Sequence, residues 1–205
     1  MAELTLYHAT PSRSSIARWM LEEVGEPYDV HLLNLQKGDN RAPEYLVVNP
    51  MGKVPALKHR GVAIAEAAAI CAYLADEFPQ KNLNIPIGDP RRGVYFQWLF
   101  FGPSCMEPAV QDRAFPRKEP PRESAIGYRD LDTLSDILAK ALAKGPYLMG
   151  EQFTAADVII GSGLRWGTMF ELIPERPEFT AYIGRLVQRP ALQRADAKDK
   201  ELAAG

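Results

Sequence analysis

Cysteine is scarce in this chain: Cys71 and Cys105 are its only two among 205 residues. Two isolated thiols make neither a disulfide framework nor a four-ligand zinc site, so each is expected to sit as a small buried hydrophobe. Histidine is nearly as rare. His8, His31 and His59 show no metal-ligand spacing, and are expected to be ordinary surface or hydrogen-bonded histidines, with no metal cofactor. No apolar run reaches the roughly 20 residues of a membrane helix, and the start of the chain carries no secretory apolar core. A soluble, cytoplasmic protein is therefore expected. Charge of one sign is lacking too, since 24 Lys and Arg stand against 26 Asp and Glu. Without a basic field, neither nucleic acid nor a membrane surface is expected as a partner. Internal repeats and low-complexity tracts are absent.

The patterns that are present change character once along the chain. Residues 3–8 alternate apolar and polar and predict a strand, and Ala9, Thr10, Pro11 and Ser12 a turn ending in an N-cap residue. From Arg13 to Val24, Ile16, Trp19, Met20 and Val24 fall at helical spacing until Gly25 stops the run. A second strand is predicted around Tyr28 to Leu33, then a polar loop and a short helix from Pro43. Ala56 to Lys58 and Val62 to Ala65 predict two more strands across a His59-Arg60-Gly61 turn, and Glu66 opens a helix to Phe78. The order βαβαββα is that of a thioredoxin-like sheet covered by helices, placed at residues 1–79. Residues 80–88 read as a linker.

Residues 89–205 have a helical period throughout and predict an all-α helical C-terminal domain. Asp89-Pro90 marks a helix start, an aromatic-rich run reaches Phe101, and Gly102-Pro103 interrupts it. Residues 112–122 read as a charged, proline-rich loop. Leu131, Leu134, Leu138 and Leu142 mark the next helix. Thr154 and Asp157 have the spacing of a capping box that opens another, through about Phe170. A further helix starts at Pro177, and Arg189-Pro190 reads as a final turn before a polar tail.

One stretch does not fit an ordinary strand. Asn49 to Leu57, NPMGKVPAL, carries a proline at the entrance of a strand, where its missing N–H matters. A cis Val54-Pro55 bond would leave the backbone groups of Val54 facing outward, ready to pair with an extended peptide-like ligand. A trans proline at a strand start is the alternative on these residues alone.

NPMGKVPAL, followed by AEAAAICAYLAD from Ala65 and GEQFTAADV from Gly150, resembles the cytosolic glutathione S-transferase family of bacterial type. The resemblance runs from Leu4 to about Ala195. It implies a cis Pro55, with Val54 pairing with the cysteinyl backbone of glutathione as co-substrate. It implies that Glu66 and Ala67 hold the γ-glutamyl end, although Ala67 stands where relatives carry a hydroxyl. Lys53 and Gln36 are candidates for the glycyl end, or else solvated surface residues. The thiol-activating donor is Ser12, by resemblance to serine-type members, or Tyr7, which aligns with tyrosine-type members together with Arg13, Arg18 and Trp19; Thr10, Ser14 and Ser15 remain further candidates. Trp98, Phe101, Trp166 and Phe170 either wall an apolar pocket for the second substrate or belong to the core. A homodimer is implied as well.

The chemistry follows from the thiol. A thiol pKa near 8.5 leaves mostly the unreactive protonated form at neutral pH. Lowering it by two units takes roughly 2.7 kcal/mol, which a hydroxyl donor and a helix N-terminus can supply together. No cysteine precedes Cys71, so the turn into the first helix cannot form a mixed disulfide, and an SSC isomerase signature is absent. The expected activity is thiolate attack on a small hydrophobic electrophile or a peroxide. A non-catalytic glutathione-fold ligand-binding or protein-interaction module is the competing class.

Overall fold

The alternation of residues 3–8 determines which side of the first strand is buried. In the computed structural model, which describes residues 2–119 and 121–204, β1 (Leu4–His8) buries Leu4, Leu6 and His8 on one face and leaves Thr5 and Tyr7 half-buried on the other. The amphipathic run becomes α1 (Ser14–Val24), which buries Ala17, Met20, Leu21 and Val24. Gly25 ends it with φ 73°, its N–H donating to Leu21 O at 2.8 Å. β2 (Tyr28–Leu32), α2 (Pro43–Leu46), β3 (Ala56–His59), β4 (Val62–Ala65) and α3 (Ala67–Glu77) follow. The sheet order is β2-β1-β3-β4, with β1 parallel to β2 and antiparallel to β3, and β4 antiparallel to β3. This is the thioredoxin-like arrangement that the pattern predicts.

The register gathers four chain segments. His8 pairs with Leu32, Tyr7 with Ala56, and Ala56 with Ala65. The exits of β1, β2 and β4 and the entrance of β3 therefore share one end of the sheet. The turn before α1, the Val54-Pro55 step and the start of α3 meet there.

By internal contacts the chain divides into residues 1–81 with 188–205, and residues 82–187. The second unit consists of α4 (Arg92–Phe101), α5 (Glu107–Ala114), α6 (Leu131–Leu142), α7 (Ala155–Met169) and α8 (Pro177–Leu186). Its core holds Tyr95, Leu99, Leu138, Val158, Ile160, Leu164, Phe179 and Tyr182. Three details differ from the sequence reading. α4 begins at Arg92, because the Asp89 carboxylate instead accepts the backbone N–H of Arg91 at 2.8 Å in a turn. Gly102-Pro103 does not break the helix: a π-helical turn over Gly102–Met106 absorbs the missing proline N–H and leads directly into α5. The expected loop thus loses residues 112–114 to α5, and its Pro120 lies outside the described residues.

The capping box forms as expected. Thr154 and Asp157 satisfy each other at the start of α7, with Thr154 N–H donating to Asp157 Oδ2 at 2.9 Å. Asp157 is fully buried and its other oxygen accepts from Leu148 N–H at 2.9 Å and the Tyr182 hydroxyl at 2.8 Å.

The final stretch is not a turn and a tail but a helix, α9 (Pro190–Ala204), packed on α1 within the first unit. Its apolar contribution is small, with Ala191, Leu192 and Ala195 buried. Ion pairs do much of the rest. Arg189 pairs with Glu23 at 2.6 and 2.7 Å, Arg194 with Glu22 at 2.9 Å, and Lys198 with Glu22.

Candidate functional site

At the shared end of the sheet the NPMGKVP segment is anchored from behind. Asn49 Nδ2 donates to Lys53 O at 2.7 Å and the Tyr45 hydroxyl donates to the same oxygen, while Asn40 Nδ2 donates to Gly52 O at 2.7 Å. Gly52 has φ 60°, and a Cβ there would lie 2.8 Å from Asn40 O, so the turn requires glycine. The Val54-Pro55 bond is cis. The Val54 side chain packs with Tyr7 and Val48 on Leu33, Tyr45 and Ala56. Among the described residues, neither the N–H nor the C=O of Val54 has a hydrogen-bond partner. Half-buried and held by its neighbours, this backbone presents an unused donor and acceptor.

Beside it, Glu66 is exposed and adopts φ 70° and ψ 120° at the N-cap of α3. For a residue with a Cβ this conformation costs on the order of 1–3 kcal/mol. It turns the chain from β4 into the helix and places Ala67 in the first turn, where N–H groups lack intrahelical acceptors. Such an N-terminus suits a carboxylate, and the Glu66 carboxylate suits an ammonium. Lys53 and Gln36 are both exposed.

The two donor candidates have different surroundings. Tyr7 is half-buried, with its ring centroid 5.0 Å from His31 and 5.6 Å from Tyr45. Ser12 is half-buried in the turn before α1 and Arg13 is exposed. The N-cap position of α1 is Arg13 rather than Ser12, but the Ser12 hydroxyl still serves the helix start, accepting Ser14 N–H at 3.1 Å. It donates to Ala9 O at 2.6 Å or to Ser14 Oγ, also at 2.6 Å.

Behind Ser12 lies a polar cluster that joins the candidates Ser14, Ser15 and Arg18 to His8 and Asp199, which the sequence reading missed. Ser14 is fully buried, and its hydroxyl sits 2.7 Å from Nδ1 of the equally buried His8. His8 Nε2 is 3.1 Å from Asp199 Oδ1 on α9, and Arg18 NH1 is 2.8 Å from the same oxygen. Ser15 donates to the other Asp199 oxygen. Burial pushes the Asp199 carboxyl up, but its contacts with His8 and Ser15 and the nearby Arg18 guanidinium outweigh it, and the net shift is downward. One signal could have found His8. It continues the parity of Leu4 and Leu6, so strand alternation alone turns it into the core.

In the helical unit, Trp98 is buried and meets Phe101 edge to face at 5.4 Å. Trp166 is half-buried and Phe170 exposed near the end of α7, and among the described residues no ring contact joins them to the first pair. Cys71 is buried as expected, its thiol pushed up by burial, whereas Cys105 is partly exposed. The described residues contain no cluster suited to a metal ion and no helix long and apolar enough to cross a membrane.

Comparison with known proteins agrees with this geometry. Residues 2–76 match the glutathione S-transferase N-terminal domain and residues 104–190 the glutathione S-transferase C-terminal domain. Glutathione S-transferase A of Pleuronectes platessa is 30% identical over 184 residues, covering 85% of this chain and 82% of that protein. Glutathione S-transferase GstA of Escherichia coli O157:H7 is 28% identical over 196 residues, covering 94% and 96%. A Phanerochaete chrysosporium glutathione transferase, solved in complex with oxidized glutathione, superposes with a TM-score of 0.80 at 27% identity, over 98% of this chain and 97% of that one. The chain belongs to the cytosolic glutathione S-transferase family.

Proposed function

We propose that this protein binds glutathione at the shared end of the sheet and activates its thiol as thiolate, through the Ser12 hydroxyl, for attack on a small apolar electrophile or a peroxide. The observation that carries the reading is the convergence there of the unpaired Val54 backbone, the N-terminus of α3 and the Ser12 hydroxyl. In this reading the cysteinyl backbone of glutathione pairs with Val54 as an added strand. Its γ-glutamyl carboxylate meets the first-turn N–H groups at Ala67, and its ammonium meets Glu66. Ser12 turns its proton from its inward partners, Ala9 O or Ser14 Oγ, toward the sulfur, and α1 adds its N-terminal field. A hydrogen bond to a charged acceptor contributes about 1.5–3 kcal/mol, close to what a two-unit pKa depression requires. In the helical unit, Phe101, Trp166 and Phe170 are offered for the second substrate, whereas Trp98 serves mainly the core. A cytoplasmic homodimer is part of the proposal on family membership alone.

Ultraviolet absorbance of the thiolate, followed through a pH titration of the glutathione complex, tests the reading. The expected result is a thiolate band at neutral pH, lost in Ser12→Ala and kept in Tyr7→Phe. Loss in Tyr7→Phe alone transfers the role to Tyr7. A complex with no band at neutral pH removes the activation claim and leaves a glutathione-fold binding module.

A further inference from the structure

The hydrogen-bond chain that begins at Ser12 runs inward to a buried imidazole instead of ending at the helix cap. We propose that His8, acting through Ser14 and Ser12, receives the proton of the bound glutathione thiol while Asp199 holds the imidazole in place. This inference rests on Ser12 being the donor. The path is continuous: 2.6 Å from Ser12 Oγ to Ser14 Oγ, 2.7 Å from Ser14 Oγ to His8 Nδ1, and 3.1 Å from His8 Nε2 to Asp199 Oδ1.

A helix cap alone does not account for these contacts. The Ser14 hydroxyl has one proton and four polar neighbours within reach: Ala9 N–H at 3.1 Å, Ala9 O at 3.0 Å, Ser12 Oγ and His8 Nδ1. The N–H can only donate to it, so its own proton must choose among the other three. A carboxylate beside Nε2 favours a proton on that nitrogen, which leaves Nδ1 as an acceptor for Ser14. Ser14 Oγ is then free to accept from Ser12. The resting order of protons is Ser12 to Ser14 to His8.

With a thiol at Ser12, the shift balances atom by atom. The S–H bond breaks and its proton joins Ser12 Oγ, the Ser12 proton passes to Ser14 Oγ, and the Ser14 proton forms the new N–H at Nδ1. Both serines end as hydroxyls, now pointing the other way, so that Ser12 donates to the thiolate. One proton has moved from sulfur to His8. The new imidazolium faces Asp199 on α9, as the imidazolium of a serine-protease triad faces its buried carboxylate. Arg18 on α1 is the other charged group beside that carboxylate. Together with Ser15 it holds Asp199 ionised, so that Asp199 steadies the charge without taking the proton itself. Glu22, Arg194 and Lys198 lie further along the same two helices and pair among themselves. Arg18 Nε and NH1, His8 Nε2 and Asp199 Oδ1 are all buried without an aligned hydrogen bond, so these contacts act through charge and proximity.

The test is the pKa of bound glutathione, read from thiolate absorbance. His8→Asn keeps a polar group facing Ser14 but removes the basic nitrogen, and is expected to leave about tenfold less thiolate at neutral pH. Adding His8→Asn to Ser12→Ala is expected to change nothing further. A folded His8→Asn protein with an unchanged thiol pKa overturns the relay. So does a rise that persists on top of Ser12→Ala, since that effect is not routed through the hydroxyls. If Ser12→Ala leaves the pKa unchanged while Tyr7→Phe raises it, the donor assignment itself has failed, and the relay falls with it. Should circular dichroism show His8→Asn unfolded, Asp199→Asn carries the test: about threefold less thiolate is expected, and no change overturns the proposal.

Discussion

Asp157 in the helical unit and Asp199 on α9 are both carboxylates drawn into the interior, yet they move in opposite directions. Burial pushes the Asp157 carboxyl up, and its partners, the Leu148 and Thr154 N–H groups and the Tyr182 and Thr154 hydroxyls, are neutral and do not bring it back. Asp199 is pushed up by burial as well, but it faces an imidazole and a guanidinium and ends below the ordinary carboxylate range. The difference lies in the partners, since desolvation acts on both with the same sign. Neutral donors organise a helix start around Asp157, whereas the Arg18 guanidinium beside Asp199 favours its negative charge.

Removing each carboxylate should separate these roles, and the largest effect belongs to Asp157. Asp157→Ala leaves two backbone N–H groups and the Tyr182 hydroxyl without their acceptor, at about 1–3 kcal/mol for each unsatisfied group. A loss of about 4 kcal/mol is expected in urea unfolding, with Tm lower by roughly 10 °C. A loss below about 1 kcal/mol would mean that water replaces the acceptor. Next comes a test of how rigid the helical unit is around its buried carboxylate. Gly102→Ala forces a Cβ within 2.4 Å of Ile159 Cγ2, and should cost about 1–3 kcal/mol of overpacking in the same measurement.

Asp199→Asn is expected to cost less, about 1 kcal/mol at pH 7, because the site is partly exposed and the surrounding water screens it. Its pH dependence is the sharper observable. A depressed folded-state pKa contributes stability that is present above the unfolded value, about 3.9, and is lost as pH falls through the folded pKa. The gap between wild type and Asp199→Asn should therefore close below about pH 4. Asp157 has the opposite sign: its raised pKa contributes stability below the unfolded value, which is lost as pH rises through the folded one. A gap for Asp199→Asn that stays constant in acid would erase the contrast. The smallest effect is expected for Glu22→Gln, about 0.5 kcal/mol at low salt and less at 1 M salt, since Arg194 and Lys198 are half exposed.

The same division explains what could be read from the sequence. Elements that bury an apolar face were legible: β1, α1, β3, α6, and α7 with its capping box all lie where periodicity and end signals put them. α9 was not, because it docks with only a few apolar side chains and otherwise with Arg194, Lys198 and Asp199, a pattern that reads as solvated. The π-helical turn escaped for a related reason, since Gly-Pro is a helix-ending signal unless a wider turn supplies the room. At the candidate site, proline spacing and family resemblance pointed to Val54, Glu66 and Ser12. His8 and Asp199 were missed because their meaning depends on a pairing between residues 191 positions apart.

That separation also orders events in time. The thioredoxin-like unit is discontinuous: β1 and α1 are synthesised first, but Arg189, which pairs with Glu23, and α9, which pairs with Glu22, Arg18 and His8, emerge only after the whole of residues 82–187. During synthesis the helical unit, whose contacts are contiguous in sequence, can close while the first unit still lacks its last piece. Until Arg189 and α9 arrive, the carboxyls of Glu22 and Glu23 and the imidazole of His8 have water where their partners will be. A nascent chain thus carries the candidate-site residues of its first 67 positions long before the buried network behind them can form.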